Sequence, residues 1–388
     1  MIDSIKCFFI SLFPPTNRSQ FVKYLLIPRP LEWYKILFTV AGYTCACLCM
    51  HSTFRASALV ELLFLFEFLA YGARYQFNDL LGIAEDLQIG RTRIFSEEEP
   101  YTQGKIKVKG SAFVTIIKCG IAILGAFLIN GQKMNRLLLS YALLLVSTIL
   151  YETIKFIRNR AEDGTHSIKK CRGFSLGVLD YSVYNALGSG YPLRFLTGLW
   201  LGYPSFGLKD LTPSLIWFLA SLWFLGVFAS LLSWACSITS FVMNQNDVRP
   251  MYLKQYYFRL HSFLKLRNKG EPCRGKGKNH LLRGQSGFSI EIQSPWNQFY
   301  IASIICAFLA VRHCGCSDFR DMLLVLVAVG LALGNILTGD LTMLIIVLIQ
   351  YLFLLMLLLK ACDPWFCFLL INLGVIAGTY AFIRYEPL

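Results

Sequence analysis

Residues 56–86 read ASALVELLFLFEFLAYGARYQFNDLLGIAED. The stretch 56–77 is an apolar run, and it passes directly into a cluster holding Arg74, Asn78, Asp79, Glu85 and Asp86. A helix needs roughly 20 apolar residues to cross a hydrocarbon core about 30 Å thick. The run therefore reads as a transmembrane helix with its polar chemistry at one end. Comparable runs lie at about 34–51, 111–130, 135–154, 182–203, 213–243, 297–316, 321–338, 341–360 and 364–383. Asn185, Gly188, Gly190, Pro192 and Arg194 interrupt the fifth run, and only Gly339 and Asp340 separate the eighth from the ninth. The count is nine or ten.

Composition agrees. Of 388 residues, 55% are hydrophobic and 15% are charged, and the mean hydropathy is +0.53. A soluble domain carries about 25% charged residues. So many consecutive spans leave no room for a separate soluble domain. The expected fold is all-α and integral to the membrane: one polytopic domain over 1–388, with an interfacial N-terminal segment (1–33) and a basic loop (249–296).

Basic residues set the expected orientation. Lys6, Arg18, Lys23, Arg29 and Lys35 precede the first run. Arg91, Arg93, Lys105, Lys107 and Lys109 lie between the second and third runs. Lys155, Arg158, Arg160, Lys169, Lys170 and Arg172 follow the fourth, and the tract Arg249–Arg283 is richest. Most of the 37 Lys and Arg thus fall on one face, which the positive-inside rule places in the cytoplasm. The net charge of +14 reads as topology and attraction to anionic headgroups. No basic–aromatic module accompanies it, so nucleic acid is not an expected partner.

The 13 cysteines do not form a disulfide framework, because Cys45, Cys47 and Cys49 lie within the first run and read as small packing residues. His313, Cys314 and Cys316 lack a second ligand pair, which argues against a zinc site. The opening stretch from Cys7 to Pro15 is short, apolar and broken by prolines, and suits an interfacial anchor better than a cleavable signal.

At about 3.6 residues per turn, positions 75, 78, 79, 82, 85 and 86 share one helix face. Asn78, Asp79, Glu85 and Asp86 then project together. Three carboxylates and an amide on one stripe are costly at a membrane helix end unless a cation or a water-filled cavity receives them. Hard oxygen donors of this kind suit Mg²⁺, which completes its shell with water and substrate phosphates. The competing interpretation is an ordinary polar terminus running into a solvated loop.

The run Asn78-Asp79-x-x-Gly82-x-x-Glu85-Asp86 resembles the first aspartate-rich motif of the UbiA superfamily of intramembrane prenyltransferases. That motif carries a third acid where Gly82 stands, and Glu85 is the nearest substitute. Arg29-Pro30-x-x-Trp33-x-Lys35 is similar to the family's entry segment. Arg91, Arg93, Pro100, Gly104 and Ile106 resemble its first cytoplasmic loop, and Tyr151-x-x-x-Lys155 matches its Tyr-x-x-x-Lys. Where a second aspartate motif belongs, Ser237, Asn244 and Asp247 take the usual acidic positions, so only Asp247 remains acidic.

The resemblance implies a Mg²⁺-dependent enzyme of nine or ten helices that moves an isoprenyl group from a diphosphate to a lipophilic, aromatic or other, acceptor. It implies Asn78, Asp79, Glu85, Asp86, Asn244 and Asp247 around the metal. Asp79, Asp86, Tyr151 and Lys155 would be catalytic, and Arg91 and Arg158 would hold the diphosphate. Tyr75, Phe77, Trp217, Trp223, Phe224, Phe228 and Trp234 are candidates for the tail's tunnel, although each is equally a packing or lipid-facing residue. Two other chemistries stay open: cyclisation of the prenyl diphosphate, left open by the altered acids at Gly82 and Asn244, and phosphoribosyl transfer to a polyprenyl phosphate. A transporter marked by Lys118, Arg194 and Asp340 is the non-enzymatic alternative, without a visible inverted repeat.

The tract 249–296 begins with apolar positions at helical spacing (Tyr252, Tyr256, Tyr257, Leu260, Phe263, Leu264) beside basic residues, as an amphipathic surface helix would. Its Gly- and Lys-rich second half reads as a loop. Cysteine-accessibility labelling is expected to place 91–109, 158–172 and 249–283 on the cytoplasmic face; an external position for any of them would break the single-face arrangement.

Overall fold

The computed structural model describes residues 18–29, 35–49, 53–83, 101–129, 131–163, 176–207, 210–244 and 295–313. Every regular element among them is a helix: α1 (Arg18–Leu26), α2 (Ile36–Cys49), α3 (Ala56–Leu81), α4 (Tyr101–Leu128), α5 (Gln132–Asp163), α6 (Leu176–Gly188), α7 (Gly190–Gly202), α8 (Pro213–Asn244) and α9 (Pro295–His313). Four stretches are long and apolar enough to cross a membrane: Ala56–Leu81, Gly104–Leu128, Gln132–Arg158 and Pro213–Leu231. They coincide with the second, third, fourth and sixth apolar runs. Exposed Ile116, Leu124 and Leu128 on α4, with Leu145, Val146 and Leu150 on α5, suit contact with hydrocarbon rather than water. The last three runs lie outside the described residues, as does the basic tract apart from its final two positions, which open α9.

The fifth run is carried by two short helices. α6 and α7 have 13 residues each and meet at Ser189, whose hydroxyl donates to the Ala186 carbonyl at 2.8 Å. Pro192 falls in the first turn of α7, where a missing N–H costs no helical hydrogen bond. Each half is shorter than a bilayer-spanning helix.

The chain divides into two compact units, Met1–Thr148 with Arg194–Ser205 and Ile149–Leu193 with Phe206–Leu388, so α5 and α7 contribute to both. In the first unit, α2 and α7 touch backbone to backbone. A Cβ on Gly42 would sit 2.0 Å from the Phe195 carbonyl oxygen, and one on Gly198 would sit 2.1 Å from that of Thr39. Gly202 lies against Ala46 and Tyr43 in the same way. Small residues every fourth position let two helices approach this closely.

α1 is packed onto the same unit. Phe21, Tyr24 and Leu25 are buried against Leu80, Ile83, Val108 and Val114, while Val22 and Leu26 stay exposed. The last carbonyls of α1 lack partners within the helix, and two side chains supply them. Gln76 Nε2 donates to Leu25 O at 3.1 Å, and Lys118 Nζ donates to Leu26 O at 3.1 Å. An ammonium at a helix C-terminus also complements the helix dipole.

In the second unit, α8 packs on α9 through a reciprocal pair: the Ser221 hydroxyl donates to Ser303 O, and the Ser303 hydroxyl donates to Ser221 O, each at 2.9 Å. Gly188 abuts the Trp223 backbone, and Gly226 abuts the Tyr191 ring. The Phe299 ring lies 6.0 Å from that of Tyr181 and 6.2 Å from that of Phe224.

The α2–α7 contact yields a paired test. Gly198→Ala forces a methyl group into the Thr39 carbonyl and should cost on the order of 1–3 kcal/mol as the helices separate. Gly120→Ala meets nothing within 4 Å and should be neutral or slightly stabilising. Melting temperatures in detergent should drop for the first variant only; equal behaviour would refute the close approach.

Candidate functional site

One row of α3 organises the first unit. Glu67, Tyr71, Tyr75 and Asp79 recur every four residues, and Glu67, Tyr71 and Asp79 are buried while Tyr75 is half-buried. The helix is wound as a π-helix over Leu63–Tyr71 and returns to α-helical winding at Gly72. Wider π winding commonly marks functional positions, and here it carries Glu67 and Tyr71.

Glu67 accepts from Arg194 Nε with both carboxylate oxygens at 3.0 Å, and from the Thr39 hydroxyl. Side-chain exposure of the ion pair is 3% for Arg194 and 4% for Glu67. Arg194 Nη2 donates to the Tyr75 hydroxyl at 3.2 Å, and its guanidinium carbon stands 3.5 Å from the Tyr71 ring centre. A buried acid and base need this degree of compensation, since desolvating either alone is expensive. Cation–π contact with Tyr71 adds to it.

At the C-terminal end of α3, Arg29 Nη2 donates to Asp79 Oδ1 at 2.7 Å, and its guanidinium carbon lies 4.8 Å from the Tyr75 ring centre. Asp79 is 5% exposed. Asn78 is half-buried, yet its Oδ1 is shielded from solvent and has no hydrogen-bond partner among the described residues; Gln76 Oε1 is in the same condition. The face expected to carry 75, 78, 79 and 82 is the inward side of this turn, whereas Phe77 and Leu81 are exposed. Gly82 caps the helix, its N–H reaching Asn78 O at 2.9 Å. Glu85, Asp86 and Arg91 lie outside the described residues.

Tyr151, Lys155 and Arg158 belong to α5 in the second unit. Tyr151 is buried with Val183 and Ala186, and Lys155 is half-buried. Arg158, expected to grip a diphosphate, is 1% exposed and donates from Nε to Asp180 Oδ1 at 2.8 Å. Its charge is thus engaged within the protein. Asn244 is the last residue of α8, without a described side chain, and Asp247 lies outside the described residues. Of the tunnel candidates, Phe228 is buried and Trp223 is exposed. Among the described residues no three His, Cys, Asp or Glu converge as a metal site.

Lys118 and Arg194 both have structural partners, Leu26 O and Glu67, while Asp340 lies outside the described residues. Glu67, Thr39 and Asp180 belong to none of the sequence motifs described above. An acid at the middle of the apolar run 56–77, as Glu67 is, is itself a signal, since an intramembrane charge demands a partner. No protein-family model, curated protein or solved structure matches the chain.

Loss of one member of the Glu67–Arg194 pair should cost about 3–5 kcal/mol, because the other charge stays buried. Glu67→Gln is therefore expected to melt far below wild type. The double variant Glu67→Gln, Arg194→Met should recover much of the loss. Additive losses in a double-mutant cycle would exclude strong coupling.

Proposed function

We propose that the chain is a multi-pass membrane enzyme of the prenyl-transfer class, acting on an isoprenyl diphosphate and a lipophilic acceptor at its cytoplasmic face. The observation that carries this is the Asn78–Asp79 pair at the end of α3. It combines a buried carboxylate, an adjoining amide oxygen without a partner among the described residues, and a guanidinium at 2.7 Å. A buried acceptor oxygen beside a buried carboxylate suits a hard cation, and a guanidinium suits a phosphate. Both meet the head of an amphiphile whose tail belongs in hydrocarbon. The donor set therefore fits one side of a Mg²⁺ site, to which the family resemblance adds Glu85 and Asp86 from the same stretch of chain.

Bound there, Mg²⁺ would supply positive charge to a departing diphosphate. Asp79 and Asn78 would hold the metal through their side-chain oxygens at the helix end. Arg29 contributes hydrogen bonds to phosphate oxygens. The Tyr75 ring, half-buried beside Arg29, presents a π face toward positive charge. Roles for Tyr151, Lys155 and Arg158 rest on the family resemblance alone.

Purified protein supplied with geranyl, farnesyl or longer diphosphates should release diphosphate only with Mg²⁺. Asp79→Ala and Asp86→Ala should each lose at least 100-fold in rate, about 2.7 kcal/mol of transition-state stabilisation. Acceptor-dependent adducts in the mass spectrum are expected; a hydrocarbon formed without acceptor would identify a cyclase. Near-normal turnover of both variants in saturating Mg²⁺ would remove this site from the chemistry.

A further inference from the structure

We infer that Arg29 is an exchangeable counter-ion, which neutralises Asp79 in the resting protein and transfers to the phosphate of the incoming substrate. The inference rests on the proposed function and concerns how the same site is kept folded before it is loaded. Asp79 is 5% exposed, and a carboxylate so buried needs a cation at all times. Arg29 supplies one, with Nη2 at 2.7 Å from Oδ1.

Three features make the exchange a side-chain movement rather than an unfolding. The base of Arg29 is fixed, because Gln76 and Lys118 hold the carbonyls of Leu25 and Leu26 just before it. The Arg29 side chain is 23% exposed, so its guanidinium already borders solvent. Its second seat is the Tyr75 ring at 4.8 Å, and Tyr75 is itself held through its hydroxyl by Arg194 Nη2 at 3.2 Å. Released from Asp79, the guanidinium keeps that ring contact and turns its fork to phosphate oxygens, a geometry for which arginine is better suited than lysine.

The exchange has an unusual signature. Arg29 competes with a metal for Asp79 but cooperates with the diphosphate, so its removal should move the two affinities in opposite directions. A purely structural arginine would weaken both. The test uses the full chain in detergent, with Mn²⁺ alone followed by electron paramagnetic resonance and with farnesyl thiodiphosphate, a slowly reacting diphosphate. Arg29→Ala should bind Mn²⁺ about tenfold tighter and farnesyl thiodiphosphate about tenfold weaker than wild type. Arg29→Lys keeps the charge and loses the fork, so Mn²⁺ affinity should stay within about twofold while thiodiphosphate affinity drops several-fold. If Arg29→Ala does not fold, Arg29→Lys decides. Wild-type thiodiphosphate binding with Mn²⁺ affinity unchanged or weakened in Arg29→Ala, or with Arg29→Lys indistinguishable from wild type, overturns the exchange and leaves the enzyme reading standing. Failure of wild type to bind either probe overturns both.

Discussion

The first unit depends on placing a carboxylate and a guanidinium side by side in an apolar interior. Glu67 and Arg194 would each be intolerable alone among Phe, Leu and Tyr side chains, so the helices carrying them must meet in one register. The rest of the packing conforms to that demand. Gly42, Gly198 and Gly202 remove the side chains that would hold α7 away from α2. Thr39 adds its hydroxyl to the same carboxylate. Tyr71 and Tyr75, one and two steps along the α3 row, take the cation's face and its outer nitrogen.

From this anchor, polarity runs along α3 to its end. Arg194 holds the Tyr75 hydroxyl, Arg29 covers the Tyr75 ring, and Arg29 reaches Asp79. Two acid–base pairs, Glu67 with Arg194 and Asp79 with Arg29, meet across Tyr75, so a charge at the helix end is tied through contacts to one deep in the apolar run. α1 belongs to the same construction. Its carbonyls are held by Gln76 and Lys118, which fixes the place from which Arg29 extends.

Apolar run length made the long helices α3, α4, α5 and α8 legible, because twenty apolar residues leave the backbone few alternatives. The inward face of Tyr75, Asn78, Asp79 and Gly82 was legible from helical period. Pairings were not. Nothing local reveals that Arg158 pairs with Asp180, because the two stand on different helices. The fifth run carried its breakers openly, Gly188, Gly190 and Pro192, yet their effect depends on Ser189 closing one helix and Pro192 opening the next. An N-terminal segment of mixed apolar and basic residues suits an interface or a docked helix equally. Its packing partners Leu80, Ile83, Val108 and Val114 stand far along the chain and leave no mark on it.

The separation of Glu67 from Arg194, 127 positions along the chain, has a consequence for biosynthesis. A ribosome adding about 5–20 residues per second takes roughly 6–25 s to travel from one to the other. Throughout that interval the nascent α3 carries its acid without the base that will neutralise it, and that acid has to be sheltered by the insertion machinery or by water. Lys118 emerges within the same interval, and its ammonium ends up buried against α3, beside Gly72. The order in which charges leave the ribosome is therefore part of what allows this sequence to enter a bilayer.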